Sequence, residues 1–90
     1  MIEHIVIFKV PGYTKKNEFY CDQGKPKYYK SILEVRTDCT QDPECKMFYE
    51  QSGFHGEDIT FQICYTTAKE EKAGRGSFLY VKGKSKIYSN

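Results

Sequence analysis

The sequence predicts an α+β domain stapled by disulfides, and three observations carry that reading. A short helix over 31–41 can be placed from its capping chemistry. Two strand-like segments follow it, over 45–50 and 59–65, each bringing a cysteine, and a third alternating segment lies at 77–82. Four cysteines in 90 residues supply the cross-links that a core this small calls for.

The helix starts at Ser31, because Ser31 and Glu34 have the S-x-x-E spacing in which each side chain satisfies a free backbone N–H near the other. Ile32, Val35 and Cys39 then fall at i, i+3 and i+7, a single stripe for the core, while Glu34, Arg36, Thr37 and Asp38 spread over the other faces. Asp42-Pro43 ends the helix, since the residue before proline is pushed out of the α region.

Upstream, His4 to Val10 is rich in β-branched residues and reads as a strand over 4–10 that lies beside the closing strand, with Pro11-Gly12 as its turn. Lys15-Lys16-Asn17 reads as a polar turn, and Glu18 to Cys21 as an extended stretch that brings Cys21 to the sheet. Lys25, Pro26 and Lys27 belong to a basic loop leading to Tyr28-Tyr29 and the helix. After Cys64, the run Lys69-Glu70-Glu71-Lys72 lacks an apolar stripe and reads as a solvated loop. Lys84 to Tyr88 extends the closing strand or forms a separate edge.

Composition narrows the function classes. At 39% hydrophobic and 29% charged the chain has the balance of a folded domain. A net charge of +2 is too small to supply the basic face that nucleic acid requires, so no such partner is expected. No apolar run approaches the ~20 residues that cross a bilayer, so no membrane insertion is expected. Met1-Ile2-Glu3-His4 lacks the basic start and long apolar region of a signal peptide, yet disulfides need an oxidising compartment. The expectation is therefore one domain over 1–90, secreted or on an extracellular surface, taken from a longer protein with neighbouring domains or from a mature chain.

Three stretches in order carry a resemblance. Asp42-Pro43-Glu44-Cys45-Lys46-Met47-Phe48-Tyr49 follows a helix that delivers Cys39; Phe61-Gln62-Ile63-Cys64-Tyr65 comes next; Gly76 to Lys82 closes with a Leu79-Tyr80 pair. Together they resemble the PAN/apple domain family over roughly the last two thirds of the chain. The resemblance implies one short helix packed on a small twisted antiparallel sheet. It also implies an adhesion module that binds a protein or a carbohydrate, without catalysis or cofactor. The family has two helix cysteines one turn apart, and Val35 stands here at the first position. What the resemblance then implies is pairing of Cys39 with Cys45 and of Cys21 with Cys64; four cysteines allow three pairings, and the residues alone leave the other two open.

For chemistry, the only histidines are His4 and His55. His55 has Glu57 and Asp58 nearby, but no nucleophile motif, phosphate loop or metal-spaced pair accompanies it, and the cysteine spacing does not fit zinc. No enzyme, metal or cofactor is expected. For binding, Lys82, Lys84 and Lys86 alternate, so in a strand they would project from one face as a row for a sulfated, heparin-like glycan; such lysines also guard a strand edge. Lys25, Lys27 and Lys30 give a second basic cluster. Tyr28, Tyr29 and Tyr65 could stack on a sugar ring, with at least one of the three expected in the core. A purely structural module within a larger secreted protein is the remaining alternative.

Overall fold

The computed structural model describes residues 10–52, 58–74 and 76–83. In chain order its elements are β1 (Tyr13–Asn17), β2 (Phe19–Cys21), α1 (Ile32–Gln41), β3 (Met47–Gln51), β4 (Thr60–Ile63), β5 (Glu70–Lys72) and β6 (Ser77–Lys82). It is a small α+β architecture: β1-β6-β3-β4 form an antiparallel sheet, and β2 pairs antiparallel with β5 as a separate ribbon.

Strand parity sorts the side chains of the sheet onto two faces. Tyr13 lies opposite Lys82, and Phe48 lies opposite Tyr80 on one side and Ile63 on the other. These residues share the face that meets α1, where Val35 and Cys39 are fully buried against Phe48, Phe61 and Ile63. Phe48 is the centre of that layer, stacked on Tyr80 at 4.8 Å between ring centroids and met edge-on by Tyr13 at 5.1 Å. Met47, Tyr49 and Leu79 point the other way and pack with Cys21, Cys64, Phe19 and Tyr20 under the ribbon. The sheet is thus the middle layer, helix on one face and ribbon on the other.

The ends of α1 form largely as their residues dictate. Ser31 is the extended N-cap, and its hydroxyl accepts from Leu33 N at 3.1 Å rather than from Glu34 N, the donor that the S-x-x-E spacing suggests. Asp42 is extended at the other end, its N–H donates to the carbonyls of Asp38 and Cys39, and its Oδ1 accepts from Glu44 N at 2.9 Å across Pro43. Two disulfides complete the frame. Cys39–Cys45 joins the last turn of α1 to the approach to β3, and Cys21–Cys64 joins the ribbon to the end of β4. These are the two pairings that the resemblance implies, and no thiol is left free.

Two expectations are corrected. Lys15-Lys16-Asn17 is not a turn but most of β1, the strand that does lie beside β6. Its lysines hold their ammonium groups over aromatic rings, with Lys15 Nζ 4.3 Å from the centroid of Phe78 and Lys16 Nζ 5.1 Å from that of Phe19. Lys69-Glu70-Glu71-Lys72 is not a plain loop, because Glu70 to Lys72 pair with Cys21 to Phe19 while their side chains remain exposed. One left-handed residue, Glu18 at φ 62°, turns the chain from β1 into β2; its N–H donates to Ser77 O and its carbonyl accepts from Ala73 N. The other strands sit within two residues of their expected bounds. The expected strand at 4–10, apart from Val10, and the Lys84 to Tyr88 extension lie outside the described residues, as do His4 and His55.

Candidate functional site

The segment from Gln23 to Lys30 runs along the outer edge of β4. Gly24 bridges Cys64, Tyr29 bridges Phe61, Lys25 N donates to Ile63 O at 2.8 Å, and Tyr65 N donates to Gln23 O at 2.9 Å. Five chain steps from Gly24 to Tyr29 face three from Cys64 to Phe61, so the segment bows outward around Pro26 and Lys27. Buried Gln62 pins it from below, accepting from the Tyr49 hydroxyl at 2.5 Å and donating to Lys25 O at 2.8 Å. Glycine gives the closest fit at the start of the bow, because a Cβ on Gly24 would stand 3.0 Å from Tyr49 Cε1 and 3.2 Å from Gln62 Nε2, and those side chains would have to shift.

Between this segment and α1 lies a groove of two adjoining depressions, about 420 and 590 Å³, which share Lys27, Tyr29 and Asp38. Such volumes are in the range of ligand clefts. Tyr29 is buried, and its hydroxyl donates to Asp38 Oδ2 at 2.7 Å. Lys27 Nζ lies 4.8 Å from the Tyr29 ring centroid and 3.9 Å from Asp38 Oδ2. On the segment side stand Lys25, Lys27 and Lys30; on the helix side stand Glu34, Asp38 and Asp42. Tyr28 and Leu33, 60% and 59% exposed, form an apolar rim with Lys30.

The field of the carboxylates is felt at Tyr29. Burial, the hydrogen bond to Asp38, and the negative charges of Asp38 and Glu34 together push its hydroxyl up to about 12 from the ordinary 10.0. The folded state therefore favours the neutral hydroxyl, so this contribution is intact below pH 10 and is lost as pH rises toward 12. Tyr29→Phe is expected to flatten the decline of unfolding free energy in that alkaline window, measured by urea unfolding at stepped pH; an unchanged or steeper decline would contradict the assignment.

The remaining predicted site residues are distributed as follows. Tyr65, 44% exposed, stands at the Lys25 end, with Lys25 Nζ 5.7 Å from its ring centroid. Lys82 does not extend a basic row into solvent. It faces α1, and its ammonium donates to the carbonyls of Cys39 at 2.6 Å, Asp42 at 3.0 Å and Cys45 at 2.9 Å, using all three of its protons. The last turn of α1 has no basic residue of its own, so Lys82 supplies the cation there from across the sheet. Lys84 and Lys86 lie outside the described residues.

The structure thus gathers Lys25, Lys27, Lys30, Tyr28 and Tyr29 at one groove and assigns Lys82 to the fold. Sequence reasoning misses the helix wall. The signal was available in the four-residue spacing of Glu34 and Asp38, which places them along one side of the helix, with Asp42 following at its cap. No family model, curated protein or solved structure matches the chain.

Proposed function

We propose that the chain is an extracellular binding module of PAN/apple type, recognising a protein or carbohydrate ligand in the groove between the Gln23–Lys30 segment and α1. The observation that carries this reading is the convergence of exposed tyrosine, lysine and carboxylate side chains along one preformed cleft. Two disulfides are compatible with an extracellular protein, and so is the absence, among the described residues, of a helix long and apolar enough to cross a membrane. The module acts by holding its ligand, without a catalytic step. A purely anionic glycan suits the groove less well than a ligand of mixed polarity, because each lysine wall residue faces a wall of carboxylates and Lys82 is engaged elsewhere.

The test is a double variant on the exposed rim, Tyr28→Ala with Lys30→Ala, compared with the parent chain by biolayer interferometry. The probes are heparin, neutral oligosaccharides and purified cell-surface ectodomains. A ligand of this groove is expected to lose at least about tenfold in affinity, since exposed tyrosines at interfaces are frequent energetic anchors. Circular dichroism should be unchanged, as both positions lie outside the core. A specific ligand that binds the double variant undiminished would move the site away from the groove.

A further inference from the structure

Resting on the reading of the groove as the binding face, we infer that its occupant is an extended segment of a partner protein in which acidic and basic side chains alternate. The two walls have opposite sign. Lys25, Lys27 and Lys30 line one, and Glu34, Asp38 and Asp42 line the other. On a helix, residues four apart are separated by about 6 Å along the axis. In an extended chain, residues two apart are separated by about 6.7 Å and point to the same side. The two repeats keep step closely enough for successive same-side residues of a strand to meet Glu34 and Asp38, and the extended C-cap Asp42 carries the carboxylate wall on past the end of α1. The alternate residues of that strand point the other way, toward the lysines. A peptide reading Glu-Lys-Glu-Lys therefore offers cations to the helix wall and carboxylates to the segment wall at once.

Two further observations favour this occupant over a uniformly charged one. Asp38 and Asp42 lie at the C-terminal end of α1, where the helix dipole disfavours negative charge. Each also serves the fold, Asp38 accepting from the Tyr29 hydroxyl and Asp42 from Glu44 N, and a ligand cation would offset the dipole cost that remains. Second, the walls already touch through Lys27 and Asp38 at 3.9 Å, with the Lys27 side chain 69% exposed. An exposed pair of this kind is worth little, so a ligand that supplies a partner to each member displaces it readily. A homopolymer of either sign satisfies one wall and repels the other.

The probe is a short acetylated, amidated peptide of repeated Glu-Lys pairs, titrated by fluorescence anisotropy in low salt. It is compared with an isomer in which all glutamates precede all lysines, with oligoglutamate, with oligolysine and with heparin. The alternating peptide is expected to bind at least about tenfold more tightly than its isomer, a difference of about 1.4 kcal/mol. Glu34→Gln with Asp42→Asn, and separately Lys25→Gln with Lys30→Gln, should each bring the two isomers to parity while leaving the circular dichroism unchanged. Equal binding of the isomers, equal or tighter binding of heparin or oligoglutamate, or no binding of the alternating peptide would each overturn the inference. If the isomers are equal but some other ligand is lost in the Tyr28→Ala, Lys30→Ala variant, the groove reading stands and only the alternation falls. A ligand indifferent to that variant removes both.

Discussion

Replacing Cys21 and Cys64 together by alanine is expected to lower the unfolding free energy by about 4 kcal/mol, against about 2 kcal/mol for Cys39 and Cys45, in the loop-entropy account. The first bond spans 43 residues and the second only 6, so the longer one removes more freedom from the denatured chain. Small domains have only about 5–15 kcal/mol in total, which makes the first loss a large share. The native contacts point the same way. The ribbon is held to the four-stranded sheet by Cys21, Phe19 and Tyr20, while the side chains of β5 are all exposed. Loss of Cys21–Cys64 should therefore release β2 and β5 first, visible as faster amide exchange in those strands. The shorter bond closes a turn that Asp42 and Lys82 also hold, so its removal leaves the turn partly tied. Urea unfolding of the two double variants, with thiol titration confirming no free thiol in the parent, measures the order. Equal losses, or a larger loss at Cys39 and Cys45, would refute the loop-length explanation.

The helix could be read from sequence because its two ends and its buried stripe are all chemical signals carried by its own residues: Ser31, Asp42-Pro43, and Ile32, Val35 and Cys39. β3, β4 and β6 could be read because they carry apolar residues to bury, and their bounds shift only slightly. β1 and β5 could not. In β1 only Tyr13 is buried, and the lysines beside it lie over rings on other strands, Phe78 far along the chain and Phe19 on the strand that follows. In β5 the reason for the strand is backbone pairing to β2, which leaves no mark on Glu70, Glu71 and Lys72. The candidate site divides in the same manner. The lysines and tyrosines of the Gln23–Lys30 segment stand out by composition, but their opposition to Glu34, Asp38 and Asp42 depends on that segment following the edge of β4 beside α1. Lys82 was set in a row with Lys84 and Lys86 by strand parity alone. Parity does not say which face is covered, and the Tyr13–Lys82 register places Lys82 on the helix side.

Lys82→Met is expected to destabilise the fold by about 2–3 kcal/mol, because hydrogen bonds to a charged group contribute about 1.5–3 kcal/mol each and three are lost together. The sum is held below the full total because the site is only partly buried, so water can reach some of the carbonyls of Cys39, Asp42 and Cys45. Methionine keeps most of the aliphatic stem, which isolates the ammonium from the packing of the chain below it. Lys82→Arg should fall between, since a planar guanidinium cannot converge on three carbonyls as a rotating ammonium does. Lys30→Met, on the exposed rim of the groove, is the control and should stay within about 0.5 kcal/mol of the parent. Raising salt should leave the Lys82 effect nearly unchanged, because close bonds to part-buried carbonyls are screened far less than exposed ion pairs. The measurement also decides how a polysaccharide experiment is read. If Lys82→Met unfolds more easily, any loss of heparin binding in that variant reports the fold rather than a contact. If it matches Lys30→Met in stability, the ammonium does not hold the helix end, and Lys82 returns to the surface as a candidate cation for a ligand.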